Sequence, residues 1–233
     1  MKADLHIHTN FSYDASSSPR EVVDSAIERG IDCICITDHG EIKGAVEAVK
    51  YGFDKDILVI PGIEILSRSG DVLGVNVKKI IPNGLSLAKT VEEIKKQGGM
   101  AIIPHPFGWP SITSFWGDKK KICAAGVNTV EAFNASMIFS FSNRRALDFS
   151  QQNDLSFTAG SDAHRADFVG RGYLEIPEDI SSEKDIMEKI ALKKGKIGGK
   201  PLSFKELLAN GSRANLNIVL RYYFDKAIKR KTV

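Results

Sequence analysis

The chain is poor in the residues that staple small secreted folds. It has three cysteines in 233 residues, an odd number without the paired spacings of a disulfide framework or a zinc knuckle. Cys33, Cys35 and Cys123 are therefore expected as reduced core thiols. The first two should share one strand face, because they alternate with Ile34 and Ile36. No apolar run approaches the roughly 18 residues of a membrane span, and Met1-Lys2-Ala3-Asp4-Leu5-His6 has no signal region. No membrane partner is expected, and the expected compartment is the cytoplasm. A dominant charge is missing too. A formal net charge of +3 is too small to argue for nucleic acid, although Lys226, Lys229, Arg230 and Lys231 make the tail locally basic, as suits a solvated helix end. No internal repeat or low-complexity linker breaks the sequence, so one domain over 1–233 is expected.

What is present is an alternation of short apolar runs with amphipathic stretches, the signature of repeated β/α units around a mainly parallel sheet. The chain reads as an α/β barrel. Strands are expected at 3–7, 31–37, 57–65, 72–77, 101–104, 127–133, 155–159 and 172–176. The clearest helix starts at Ser18-Pro19-Arg20-Glu21, where a serine cap, proline at the first helical position and glutamate three residues after the cap act together. It should end at Gly30, with Val22, Val23, Ala26 and Ile27 as the stripe that packs on the sheet. Further helices are expected at 87–96, 143–152 and 183–193. A helical extension begins at about residue 203, and 214–229 carries Leu216, Val219, Leu220, Tyr223, Phe224 and Ile228 at helical spacing. The glycine-rich stretch 195–201 reads as a flexible turn.

The chain has only five histidines, His6, His8, His39, His105 and His164, and each falls at or just beyond an expected strand end. In a parallel β/α barrel those ends form the catalytic face, where residues distant in sequence converge. Asp4-Leu5-His6-Ile7-His8 alternates so that both imidazoles can reach one cation, with Asp4 orienting a histidine from behind. Thr37-Asp38-His39 follows an apolar strand; the plainer account, a helix N-cap, leaves His39 unexplained. Pro61-Gly62-Ile63-Glu64 delivers a carboxylate that could bridge two metals. Pro104-His105-Pro106 stiffens the backbone around one imidazole. Ser161-Asp162-Ala163-His164 offers a carboxylate and an imidazole together. Each cluster alone has a bland explanation as surface or capping residues, whereas five at strand ends with partner carboxylates are hard to ascribe to chance.

Taken together, Asp4-Leu5-His6-Ile7-His8-Thr9, Thr37-Asp38-His39, Gly62-Ile63-Glu64, His105-Pro106 and Gly160-Ser161-Asp162-Ala163-His164 resemble, in order and spacing, the motif series of the polymerase and histidinol phosphatase (PHP) family. The resemblance implies a distorted seven-stranded, TIM-like β/α barrel with a trinuclear metal site, so eight strands would be one too many. It further implies one metal on His6, His8, Glu64 and Asp162, a second on Glu64 and His105, and a third on His39 and His164, with Glu64 as the bridge. Many relatives carry two further histidines where this chain has Asp14 and Asp71, either of which could substitute as a ligand; otherwise the working site would be binuclear. Mixed imidazole and carboxylate donors suit Zn²⁺, Mn²⁺ or Fe²⁺.

The expected reaction is phosphoester hydrolysis by a metal-activated water, with a small phosphomonoester or nucleotide as substrate. Arg165 and Arg171 are candidates to grip the phosphate, and Asn134 could also face the pocket. The rival readings are a nuclease acting on nucleic-acid ends, a non-catalytic RNA-binding subunit with the same barrel, and a C–N hydrolase of the amidohydrolase type, whose bridging carbamylated lysine Glu64 would replace here.

Overall fold

In this computed structural model the described residues are 1–108, 114–115, 120–137, 139–178 and 181–211. The expected helix at 214–229 and the basic tail lie outside them. All eight expected strands form: β1 (Lys2–Ile7), β2 (Cys33–Ile36), β3 (Leu58–Ser67), β4 (Gly70–Val75), β5 (Met100–Ile103), β6 (Thr129–Asn134), β7 (Ser156–Gly160) and β8 (Gly172–Glu175). They lie in the sheet order β7-β6-β5-β4-β3-β2-β1-β8, and a ninth strand, β9 (Lys196–Gly199), extends it beyond β8. The first seven curl into a nearly closed barrel. Asp162 N donates to His6 O at 2.9 Å or less (2.8 Å), and His8 N donates to Ala163 O at 2.9 Å, so the chain just beyond β7 meets the end of β1.

The β/α units β1-β2-β3 and β5-β6-β7 are parallel as expected, but β4 runs antiparallel to both β3 and β5. A short connection from Ser67 to Gly70 turns the chain back on itself, which only an antiparallel pair permits. β8 and β9 also run antiparallel, on the flank of β1. β9 corrects the reading of 195–201 as a flexible turn. Glycine is depleted in strands, yet here it makes room: a Cβ on Gly198 would lie 2.2 Å from the Tyr173 ring.

The helices are α1 (Pro19–Glu28), α2 (Lys43–Gly52), α3 (Leu87–Lys96), α4 (Lys120–Ala124), α5 (Ser140–Gln152), α6 (Glu183–Ala191) and α7 (Phe204–Asn210). Ser18 and Glu21 form the expected reciprocal cap of α1, and Val22, Val23 and Ala26 are buried, while Ile27 is exposed. Those residues pack with Ile34, Ile36, Ala45 and Ala48 to cover the outside of β1 and β2. A second layer, with Ile63, Val91, Ile94 and Val130, covers the side under α3. The barrel interior holds Leu5, Cys33, Cys35, Ile60, Leu73 and Ile102. Burial pushes the Cys35 thiol up to about 12, consistent with a reduced core group. Cys123 departs from the expectation, since it is exposed.

Closure of the barrel depends on Gly160. A Cβ there would lie 2.5 Å from His6 Cβ and 2.8 Å from Glu131 Oε1. Gly160→Ala should cost about 2 kcal/mol through overpacking, seen as a fall of roughly 4–8 °C in the thermal midpoint; an unchanged midpoint would mean that the two strands do not close tightly here.

Candidate metal centre

The interior end of the barrel gathers all five histidines. His6 ends β1 and His8 follows it, His39 follows β2, Glu64 sits within β3, His105 follows β5, and Asp162 and His164 follow β7. Three interlinked groups have ligand atoms close enough to share a cation: His6, His8 and Asp162; His6, Glu64 and His105; and His8, His39 and His164. His6 Nε2 and His8 Nε2 are 3.2 Å apart. Glu64 Oε2 lies 3.5 Å from the first and 3.3 Å from the second, and Asp162 Oδ1 is also 3.5 and 3.3 Å away. Glu64 Oε2 is 3.1 Å from His39 Nδ1, while its other oxygen faces His105 Nε2 at 3.6 Å.

The hydrogens of the two central imidazoles are committed elsewhere. Glu131 Oε1 can only accept, so at 3.0 Å it takes the Nδ1 hydrogen of His6. Ser12 Oγ spends its one hydrogen on Asp38 Oδ1 at 2.9 Å, so it accepts from His8 Nδ1 at 3.1 Å and from His39 N at 3.0 Å. In the neutral rings both Nε2 atoms are then bare lone pairs, facing each other and two carboxylate oxygens. Four acceptors so placed demand positive charge between them. Ligands around a tetrahedral cation with bonds of 2.0–2.2 Å are separated by about 3.3–3.6 Å, close to the distances found. Glu64 Oε1, buried without a hydrogen-bond partner, adds a further acceptor aimed at the His105 side.

The electrostatics express the same demand. Burial would lower His6, but Asp162, Glu131 and Glu64 hold it well above the usual imidazole range. His39, also opposed by burial, is raised to about 10 by Glu64 and Asp14. Burial, aided by His164 and His39, pushes His8 down to about 4. Glu64 and Asp162 stay well below the carboxylate range because the surrounding histidines outweigh burial.

Asp14 Oδ2 lies 3.2 Å from both His39 Nε2 and His164 Nε2, where the chain's own residues can complete the third group. Asp71 is buried on β4, and its charge contributes to the raised pKa of His39. Tyr13 stacks on His39 with ring centroids 4.9 Å apart and planes 13° from parallel, and is 63% exposed.

Several expectations need correction. Asp4 does not orient an imidazole: it accepts from Ser161 N at 2.9 Å and Gly170 N at 2.8 Å. The register of β1 against β2 slips between Asp4 and Ile7, so strict alternation fails there. The plainer account of Thr37 and Asp38 as caps of α2 fails, since the N-cap is Ile42 and Asp38 binds Thr9 and Ser12. Arg165 pairs with Asp167 at 2.6 Å and Arg171 with Glu206 at 2.6 Å, so a phosphate contact would draw either away from its acid. Asn134 reaches the centre, but its amide donates to Glu131 Oε2 and Asp162 Oδ2. Glu131 was missed: it also accepts from His105 N at 2.8 Å. Its signal was a carboxylate inside the apolar run Val130-Glu131-Ala132-Phe133. Ser12 and Asn210 carried no comparable mark.

Residues 4–114 match the description of the PHP domain, and 141–197 that of the PHP-associated C-terminal family. An uncharacterized protein of Methanocaldococcus jannaschii is 39% identical over 145 residues, covering 58% of this chain and 82% of that one. A 5'-3' exoribonuclease of Haemophilus influenzae is 30% identical over 105 residues, covering 43% of this chain and 38% of that one. Among solved structures, a two-domain protein from Bacteroides vulgatus, described as containing a predicted PHP-like metal-dependent phosphoesterase, superposes with a TM-score of 0.72 at 22% identity, covering 90% of this chain and 68% of that one. The two matched spans contain all five motifs in order along the barrel, and the chain belongs to the PHP family.

Proposed function

We propose that this chain is a metal-dependent phosphoesterase acting on a small phosphomonoester or nucleotide. The observation that carries the reading is that His6 Nε2 and His8 Nε2, 3.2 Å apart, each lie 3.3–3.5 Å from both Glu64 Oε2 and Asp162 Oδ1, with the Nδ1 hydrogens of both rings turned to outer partners. His6, His8, Glu64 and Asp162 would hold one divalent cation, Glu64 and His105 a second, and His39 and His164, joined by Asp14, a third. Zn²⁺, Mn²⁺ and Fe²⁺ all suit these donors. When bound, such cations polarise phosphoryl oxygens and lower the pKa of an attacking water.

The protein's own part is to hold the donors in place. Glu131 and Ser12 fix the tautomers of His6 and His8. Asn134 holds Asp162 Oδ2, which leaves Oδ1 turned toward the imidazoles. No side chain is required as a covalent nucleophile.

Elemental analysis of the purified protein, combined with assays on a panel of phosphomonoesters, nucleotides and short oligonucleotides, tests the proposal. The expected result is bound transition metal and hydrolysis of phosphomonoesters that falls by about 100-fold or more in His39→Ala, beyond the usual effect of an outer-partner change. Protein that takes up no transition metal, or His39→Ala with unchanged activity, would overturn it. The partial likeness to an exoribonuclease favours nuclease action as the second reading, which predicts oligonucleotide binding that weakens steeply with salt.

A further inference from the structure

We infer that Asn210 is a positioning residue for the metal centre, its carboxamide setting the backbone of 162–164 and thereby the affinity of that end of the centre for a divalent cation. The inference rests on the metal-dependent reading above. Asn210 lies 46 residues beyond His164, on α7, outside every motif of the series.

Its side chain turns both donors and its oxygen to the segments that carry the candidate ligands and their support. Nδ2 donates to Asp162 O at 2.9 Å and to Ser136 Oγ at 2.9 Å, and Oδ1 accepts from His164 N at 2.8 Å. The amide thus pairs with a carbonyl and an N–H two residues apart, as a peptide group of a neighbouring strand would, at the point where β7 has ended. Ser136 extends the contact, its hydroxyl lying 3.0 Å from Ser161 O and 3.1 Å from Asp162 O.

The backbone held in this way needs holding. Asp162 has φ 53°, a left-handed conformation that side chains other than glycine adopt infrequently. A shift there would move both the Asp162 carboxylate and the His164 imidazole, whose Nδ1 lies 3.0 Å from Asp162 O.

Asn210 is the one fully buried residue of α7, 4% exposed, while Leu207 and Ala209 pack half-buried against the core and Phe204 and Leu208 are exposed. The helix is fastened by the reciprocal cap between Ser203 and Glu206, by Arg171 against Glu206, and by Leu202 N donating to Ala135 O at 2.8 Å. Alanine would supply none of the three bonds. Aspartate would set an acceptor against Asp162 O and remove both donors.

The test is titration of Co²⁺ into the metal-free full chain, followed by visible absorption and bound-metal stoichiometry. Asn210→Ala should weaken at least one cation ten- to hundredfold, the range for outer partners of metal ligands, and alter the absorption spectrum. Ser203→Ala, which uncaps the same helix without touching 162–164, should keep wild-type affinity and spectrum; equal loss in both variants would reduce Asn210 to a fold-stabilising role and overturn the inference. If Asn210→Ala does not fold, Ser136→Ala is expected to show a weaker loss of the same kind, and its binding like wild type would count against the inference. Wild-type binding with an unchanged Asn210→Ala overturns this inference alone, whereas a wild-type chain that takes no cation overturns the metal-dependent reading on which it stands.

Discussion

Glu64→Gln should yield a folded protein that binds at least one fewer cation and loses more than about 100-fold in kcat/KM, the upper end of what an outer partner of a metal ligand costs. Glu64 is buried and within 3.1–3.6 Å of ring nitrogens of His6, His8, His39 and His105. No other candidate carboxylate faces so many imidazoles among the described residues. Glutamine keeps the volume, so packing in β3 is preserved, but it replaces one acceptor oxygen with an N–H donor and removes the charge. Metal content, circular dichroism and kinetics measured on one preparation separate the effects. A folded Glu64→Gln with full metal content and wild-type rates would contradict the bridging role.

The second large effect is on stability. Ligands that bind only the folded chain stabilise it by about 4 kcal/mol at a thousandfold excess over Kd, so stripping the metal should lower the thermal midpoint by roughly 8–16 °C for a chain of this size. The loss should depend on pH. In the stripped protein His39 is raised to about 10, and His6 and His164 are raised too, each after Asp14, Glu64 or Asp162 overcomes the effect of burial. Raised histidines stabilise fully below their ordinary pKa of 6.5 and lose that contribution as pH climbs through the folded value. The depressed carboxylates Glu64, Asp162 and Asp14 stabilise above their ordinary range and fail as pH falls. His8, held neutral by burial down to about 4, opposes folding below 6.5. The stripped chain should therefore be most stable between about pH 5 and 7 and weaken toward pH 9. Metal-loaded protein should behave oppositely, because its ligands must lose protons to bind. The gap between the two midpoints should widen from pH 6 to pH 9, and equal midpoints at both values would contradict the account.

The motif positions were legible because each is a polar cluster directly after an apolar run, a local pattern that a barrel converts into convergence. His6, Glu64, His105 and Asp162 could be named on that basis. Residues that act through contacts across the barrel were harder to read. Glu131 holds His6, His105 and Asn134 from another strand, and Ser12 serves His8 and His39 from a loop. Their roles exist only after closure. Asp4 was misassigned because a slip in β1 breaks the period of two, and β9 was missed because its glycines mimic a turn. α2 lacks a side-chain cap at Ile42, so its start left no mark. Arg165 and Arg171 follow the last motif closely in sequence, but their ion pairs with Asp167 and Glu206 arise only in the fold.

The most direct test of the central claim is anomalous diffraction from crystals of the protein grown with Mn²⁺. Peaks should fall among His6, His8, Glu64 and Asp162, with further peaks beside His105 and between His39 and His164, each about 2.0–2.3 Å from its donor atoms. Manganese confined to the outer surface, with those seven side chains bonded only to one another, would contradict it.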